Sequence, residues 1–305
     1  MPMVTRSPVS TAIRLLYGGA PDRQRALTGD PFLDNVWAFE QAAANPVAAD
    51  FLDEASPYFP IKRLSTSIYR GQLEKAVVHA PLRTRALDAG CGIGRSTLLL
   101  SEVFPRVVAF DPCRANIDFC EARLAKIGHE GKELHWDGVE FLDTIQSQEF
   151  DFVLALEFVC YTGDPARTVA ELARVLKDGG VMMLSVEATP GALIAGDTDP
   201  GSFDFVRMSR DDDSVDLRQA GRYVRLFHRE SLASLCRNAG LDPVRIIASH
   251  FFGEGPFWQT VDDDRLRDDE YLRTVTKADC EFRLSPGASR FARVLTAVAI
   301  KPRKA

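Results

Sequence analysis

The stretch LDAGCGIG, residues 87–94, constrains the fold most, because it follows an apolar strand pattern and leads directly into a helix pattern. Three glycines alternate with other residues, and Asp88 precedes the first of them. Glycine leaves the backbone bare, so a ligand can lie against it where side chains would collide. The sequence therefore predicts a ligand-binding loop at the carboxyl end of a strand.

Strand-like and helix-like periods alternate from about residue 85 to residue 188, which is typical of βα units that build a parallel sheet. One helix pattern begins at Asp164-Pro165 and is predicted to stop at Gly179-Gly180, and a later one ends at Gly240. The fold class is predicted to be α/β, a doubly wound, Rossmann-like sheet. Its seven strands are predicted at Arg85–Ala89, Val107–Asp111, Glu133–Asp137, Phe150–Glu157, Val181–Ala188, Pro243–Phe251 and Phe291–Ile300.

Three segments fall outside this alternation. Residues 1–80 look helical, with Phe32, Val36 and Phe39 on one face of a first segment and a second segment over about residues 64–78. We expect a helical N-terminal cap over residues 1–80 and a cofactor-binding domain over 81–305. The insertions 189–227 and 252–288 interrupt that domain, and we expect them to form a substrate lid, since loops this long are usually functional or mobile.

Charge and cysteine content narrow the class of protein. A formal net charge of −6 argues against a nucleic-acid partner and fits a small-molecule or protein substrate better, of which we expect a small molecule. The six cysteines form no CxxC pair, which indicates reduced thiols. The longest apolar runs fall short of the ~18 residues that span a bilayer, and the N-terminus shows no signal-peptide pattern. We expect a cytoplasmic protein without a membrane partner, and the sequence does not reveal its oligomeric state.

The acidic runs at residues 211–213 and 262–264 lack the spacing of a carboxylate metal motif. We interpret them as solvated loop charge and predict no metal site.

Two further carboxylates follow the glycine loop at successive strand ends. The loop spacing is one residue tighter than in the G-x-G-x-x-G of dinucleotide folds, and Asp88 would be a poor neighbour for phosphates. A ligand with a cationic amino group or a sulfonium fits better. Asp111, 19 residues beyond Gly92, is placed to accept hydrogen bonds from ribose hydroxyls, and Asp137 can meet an adenine amino group.

Taken in order, these motifs resemble those of class I S-adenosylmethionine-dependent methyltransferases over about residues 65–250. The matching stretches are LDAGCGIG, VVAFDP, WDGVEF, FDFVLALEFVCYTGDP, ELARVLKDGG and YVRLFHRESLASLCRNAGL. The resemblance implies a mostly parallel sheet with an antiparallel last strand, S-adenosylmethionine across the carboxyl ends of the first strands, and a substrate above it. The predicted cofactor-binding residues are Asp88, Gly90, Cys91, Gly92, Gly94, Asp111, Pro112, Asp137, Gly138 and Glu157.

Methyl transfer from a sulfonium needs mainly alignment of the nucleophile at about 3 Å and exclusion of water, so a general base is optional. The catalytic candidates are Tyr161, His228 and Glu187, with His250 also possible. Cys160-Tyr161 stands where some relatives carry Glu-His, which argues against metal-assisted catechol methylation.

Two other classes of function stay open at the level of sequence. One is a protein of the same fold that binds S-adenosylmethionine without transferring its methyl group, as a cyclase, a lyase or a noncatalytic partner. The other is a nicotinamide-dependent oxidoreductase, which the glycine spacing disfavours. The aromatic residues 251, 252, 257 and 258 either line an apolar cavity or pin the second insertion to the core.

Overall fold

The computed structural model describes residues 31–43, 50–189, 191, 203–208, 215–219 and 222–303. The chain divides into two compact units. The sheet unit comprises residues 70–186, 229–247 and 296–305, and the insertion unit comprises residues up to 69 together with 187–228 and 248–295. The cap and domain predicted to meet at residue 80 stay a prediction.

Within the described residues the strands form two sheets. The larger sheet has seven strands in the order β3-β2-β1-β4-β5-β10-β9, and the smaller has the order β6-β7-β8. The strands are β1 (Arg85–Ala89), β2 (Arg106–Asp111), β3 (Lys132–Trp136), β4 (Phe150–Leu156), β5 (Leu176–Glu187), β6 (Phe203–Met208), β7 (Val215–Gln219), β8 (Arg222–Leu226), β9 (Asp242–Ser249) and β10 (Val294–Ile300).

The large sheet confirms the predicted α/β class. Strands β1 to β5 pair in parallel with their neighbours. The end of β10 runs antiparallel to the start of β5, because the Lys301 N–H donates to the Gly180 carbonyl at 3.0 Å and the Gly179 N–H donates to the Lys301 carbonyl at 2.8 Å. Every residue of β4 is buried, as expected for a parallel strand that is covered on both faces.

The helices of the described residues are α1 (Pro31–Ala43), α2 (Phe59–Ala76), α3 (Arg95–Ser101), α4 (Arg114–Lys126), α5 (Phe141–Thr144), α6 (Pro165–Val175), α7 (Arg229–Asn238) and α8 (Asp269–Phe282). The Asp164 carboxylate caps α6 by accepting from the Arg167 N–H at 2.9 Å. The predicted stop of α6 at Gly179-Gly180 is wrong, because the helix ends at Val175 and β5 begins with the next residue. Residues 177–180 bulge out of the pairing between β4 and β5 instead.

Both predicted insertions contain regular structure that the sequence reading missed. The first holds β6, β7 and β8, which pair antiparallel. The second holds α8, whose first turn is capped by the Asp268 carboxylate accepting from the Tyr271 N–H at 2.8 Å. The acidic run at residues 211–213 lies outside the described residues.

Helix α1 buries two polar residues, and of its predicted apolar face the side chain of Phe32 lies outside the described part of the structure. Asp34, Asn35 and Ala38 are buried, whereas Val36 and Phe39 are half-buried. The Asn35 amide pairs with both backbone groups of Tyr223 in β8, because it donates to the Tyr223 carbonyl at 3.0 Å and accepts from the Tyr223 N–H at 2.6 Å. In the part of the chain that the structure describes, we find no helix with the length and apolar character to cross a bilayer.

Candidate functional site

The three glycines of the loop after β1 all adopt positive φ, but they serve different purposes. A Cβ atom on Gly90 would lie 2.2 Å from Cδ2 of Phe158, and one on Gly94 would lie 3.0 Å from Cys120 of α4. Packing therefore requires these two glycines. A Cβ atom on Gly92, at φ +53°, would meet no atom within 4 Å. Gly92 thus leaves one side of the loop bare and open.

Asp111, the last residue of β2, holds this loop in place. Its Oδ2 accepts from the Gly92 N–H, and its Oδ1 accepts from the Cys113 N–H and from Nδ2 of Asn116, each at 2.9 Å. Burial raises the pKa of Asp111, and these three hydrogen bonds oppose that rise. A carboxylate offers about four acceptor positions, so about one remains for a ligand hydroxyl. Asp111 is therefore a loop anchor as well as the predicted ribose acceptor.

Asp88 and Cys91 are buried under the loop. Oγ1 of Thr97 donates to Oδ2 of Asp88 at 2.7 Å, and burial raises the pKa of Asp88 to about 6. Cys91 packs in an apolar cluster with Cys120, and contact with that thiol together with burial raises the pKa of Cys91 well above its ordinary value. Both side chains support the loop from below, and the Cys91 thiol is unsuited to act as a nucleophile.

The exits of β2 and β3 meet beside the loop. The Asp137 N–H donates to the Asp111 carbonyl at 3.2 Å, and Oδ1 of Asp137 accepts from the Gly138 N–H at 2.8 Å. Nε1 of Trp136 donates to the Pro112 carbonyl at 2.8 Å, and the indole is 57% exposed. Trp136 was not among the predicted site residues, although its place directly before Asp137 was the available signal.

Glu157 directly follows β4, and its backbone is strained, with φ +51°. Its N–H donates to the Ser185 carbonyl at 3.0 Å. Its carboxylate lies 3.4 Å from Nη2 of Arg95, and the two side chains are only 17% and 13% exposed. Arg95 directly follows the glycine loop and was not among the predicted site residues.

The three catalytic candidates fall in different units. Tyr161 lies in the sheet unit, half-buried in a short turn that follows Glu157. Glu187 and His228 lie in the insertion unit, where the Phe227 N–H donates to the Glu187 carbonyl at 2.9 Å. The buried Glu187 carboxylate lies 3.4 Å from Nη2 of Arg293. The buried Glu187 carboxylate is therefore paired with a cation of its own unit.

His250, in the insertion unit, is buried and bonded at both ring nitrogens. Nε2 lies 3.0 Å from Oγ of Ser65, and Nδ1 lies 3.0 Å from Oγ of Ser249. The ring packs against Tyr69 with centroids 4.6 Å apart. These contacts are those of a structural histidine, since the side chain is 1% exposed.

The aromatic residues of the second insertion pack mainly on one another. Phe251 is fully buried and contacts Phe282 edge to face at 4.9 Å, and Phe257 contacts the same ring at 5.1 Å. The Asp279 carboxylate accepts from the N–H groups of residues 250–252, and burial raises its pKa to about 6. Pinning the insertion is thus a role of Phe251, and the half-buried Phe257 and Phe282 pack in the same cluster.

Comparison with known proteins places the chain among methyltransferases. A family model described as a methyltransferase domain matches residues 41–246. A ubiquinone biosynthesis O-methyltransferase from Bradyrhizobium sp. (strain ORS 278) is 37% identical over 105 residues, which cover 33% of this chain and 39% of that protein. The chain thus spans about two fifths of the length of that curated relative.

Two further proteins match over more of their length. A probable S-adenosylmethionine-dependent methyltransferase from Mycolicibacterium smegmatis is 26% identical over 227 residues, covering 71% of this chain and 81% of that one. The structure of Burkholderia thailandensis 1,6-didemethyltoxoflavin-N1-methyltransferase, solved with S-adenosylhomocysteine, aligns with a TM-score of 0.52. It is 18% identical and covers 92% of this chain and 97% of that chain, so it supports the fold alone.

Proposed function

Because the chain belongs to this methyltransferase domain family, we propose that it transfers a methyl group from S-adenosylmethionine to a small-molecule acceptor. The observation that carries the proposal is the glycine loop with its open side at Gly92, set beside the exits of β2, β3 and β4. Both the family and this geometry favour an adenosyl ligand.

The residues at these exits fit such a cofactor. The open side of Gly92 provides a surface for it, and Asp111 keeps about one acceptor position for a ribose hydroxyl. Asp137 is exposed after β3, so its carboxylate is available to an adenine amino group. These donors and acceptors suit a ligand that carries hydroxyl and amino groups and no phosphate.

When bound, S-adenosylmethionine supplies a methyl group on a positively charged sulfur. The chain has to hold the acceptor atom in line with that group and keep water away, and positioning of this kind can lower a barrier by several kcal/mol. In the sheet unit, Tyr161 is the candidate for orienting the acceptor, because its phenol can donate or accept a hydrogen bond. His228 stays a candidate for taking a proton from an acceptor that must be deprotonated.

A small-molecule acceptor agrees with the net charge of −6, which does not favour a polyanionic partner. The ubiquinone biosynthesis enzyme is named for methylation at oxygen, and the structurally similar toxoflavin enzyme for methylation at nitrogen. The acceptor atom is therefore not part of this proposal.

We also propose that the protein works in the reducing environment of the cytoplasm. All six cysteines lie in the described part of the chain, and none of them forms a disulfide. Five are buried, and Cys280 of α8 is half-buried. Free thiols of this kind are typical of reducing compartments.

The proposal is tested by turnover. Purified protein incubated with S-adenosylmethionine and a metabolite collection should release S-adenosylhomocysteine with at least one acceptor, and Tyr161→Phe should lower kcat for that acceptor. Conversion of a metabolite while S-adenosylmethionine stays intact would favour the cyclase or lyase alternative. Failure to bind the cofactor would refute the proposal.

A further inference from the structure

Two buried thiols touch each other directly beneath the glycine loop. Cys91 belongs to the loop, Cys120 belongs to α4, and both lie in one apolar cluster of the sheet unit. Their thiol groups are in hydrogen-bonding contact. A Cβ atom on Gly94 would lie 3.0 Å from Sγ of Cys120, so α4 packs closely against the loop at this point. The chain therefore holds two sulfur atoms side by side where the loop meets α4.

The two thiols differ in acidity. Hydrogen bonding to Cys91 lowers the pKa of Cys120, whereas burial opposes that fall. Sγ of Cys120 also lies 3.4 Å from Oγ1 of Thr97, and this contact and the positive charge of Arg123 lower the pKa further. The pKa of Cys91 is instead raised by contact with Cys120 and by burial. Cys120 is therefore the thiol of the pair that more readily gives a thiolate, the form that reacts with oxidants.

The surroundings of the pair restrict which oxidants can reach it. Cys91 is 3% exposed and Cys120 is fully buried, which excludes bulky reagents. Hydrogen peroxide is little larger than water and can enter when the loop opens locally. A ligand on the open side of Gly92 stabilises the closed loop and opposes that opening. Oxidation of the pair is therefore coupled to the occupancy of the loop.

We propose that Cys91 and Cys120 form a redox switch in which a disulfide between them weakens cofactor binding, an effect that rests on the proposed function. The Cys120 thiolate attacks one oxygen of hydrogen peroxide, and the O–O bond breaks to release hydroxide, which takes up a proton to give water. Cys120 is left as a sulfenic acid. The Cys91 sulfur then attacks Sγ of Cys120, the S–O bond breaks, and the hydroxide leaves with the Cys91 proton as a second water. The two thiols together lose two electrons to the peroxide.

Contact makes Cys91 the second partner in spite of its raised pKa. A thiol already held against the sulfenic acid reacts within one molecule, and such proximity raises its effective concentration by orders of magnitude. A disulfide holds its sulfur atoms about 2 Å apart, closer than two thiols in contact. Its formation therefore draws the loop toward α4 and disturbs the hydrogen bond from the Gly92 N–H to Asp111. The open side of the loop then loses the shape that binds the cofactor.

The test exposes purified wild-type protein to hydrogen peroxide. Mass spectrometry of unreduced peptides should find Cys91 linked to Cys120, and calorimetry should find S-adenosylhomocysteine bound at least fivefold more weakly. Dithiothreitol should return the affinity to within twofold of the untreated value. Saturation with S-adenosylhomocysteine before the peroxide is added should slow the linkage at least fivefold.

Two variants separate the switch from general oxidative damage. Cys120→Ala removes the thiol that reacts first, so its affinity before and after peroxide should agree within twofold. The matched control is Cys236→Ala, because Cys236 is a buried thiol of α7 whose pKa is raised by burial to about 12. This control should form the linkage and lose affinity as wild type does.

Three results would overturn the inference and leave the proposed function intact. The first is the absence of a linkage between Cys91 and Cys120 after peroxide treatment. The second is a linkage that leaves the affinity unchanged, and the third is an equal loss of affinity in Cys120→Ala. Reduced wild-type protein that binds no S-adenosylhomocysteine would overturn the proposed function and, with it, the control of binding.

Discussion

Replacing Gly92 by alanine should remove cofactor binding at little cost to the fold. Gly92 has φ +53°, and a left-handed backbone costs an L residue about 1–2 kcal/mol. Alanine recovers about 0.4–1 kcal/mol by restricting the unfolded chain. We therefore expect the free energy of unfolding to fall by about 1 kcal/mol, while the added methyl group occupies the open side of the loop.

Two other glycines separate this effect from backbone strain. Gly128 has φ +68° and also has no atom within 4 Å of a built Cβ, but it follows α4 and lies outside the predicted site. Gly128→Ala should cost about the same stability and leave cofactor affinity unchanged. Gly90→Ala should cost about 1–3 kcal/mol more, because its Cβ would lie 2.2 Å from Phe158 and overpacking adds that amount.

The assay is urea unfolding combined with calorimetric titration of S-adenosylhomocysteine. Gly92→Ala should bind at least tenfold more weakly than wild type, and Gly128→Ala should bind as wild type does. The reasoning is refuted if Gly92→Ala binds within twofold of wild type, or if Gly128→Ala loses as much affinity.

Three further predictions concern carboxylates. Burial raises the pKa of Asp88 from 3.8 to about 6, so the protonated carboxyl stabilises the folded state and this stabilisation is lost as the pH rises through about 6. Relative to wild type, Asp88→Asn should therefore gain about 3 kcal/mol in free energy of unfolding between pH 4 and pH 8 in urea titrations. A difference between the two proteins that does not vary with pH would contradict this. Asp111→Ala leaves three donors without their acceptor, so its free energy of unfolding should fall by about 3 kcal/mol and its affinity for S-adenosylhomocysteine should also fall. Unchanged stability and unchanged affinity would show that the carboxylate does not anchor the loop. Asp164→Ala removes the cap of α6 and should cost about 1 kcal/mol with cofactor affinity unchanged, so weaker binding would argue that α6 is coupled to the site.

Local sequence patterns were sufficient for the sheet and for the carboxyl ends of its first strands. Strand β1 begins and ends where the apolar run and the glycines predict, and Asp111 ends β2 as expected. The reason is that parallel strands buried on both faces appear in the sequence as short apolar runs bounded by turn residues. The adjacency of the Asp111 and Asp137 backbones then follows from strand order alone.

The remaining features depend on tertiary contacts that local patterns do not encode. Asn35 is buried because its amide pairs with the backbone of Tyr223, which lies 188 residues away in the chain. Arg95 enters the candidate site through Glu157, 62 residues away. Strands β6 to β8 were missed because the glycine, proline and aspartate content of their surroundings outweighed short alternating segments.

The unequal burial of the thiols makes the wild-type chain suitable for selective dye labelling. Cys91 and Cys236 are buried with raised pKa values, that of Cys236 reaching about 12, so little reactive thiolate forms on them near neutral pH. Cys280 is half-buried on α8. A maleimide fluorophore should therefore react first at Cys280 and report on α8 without any engineered substitution in the glycine loop.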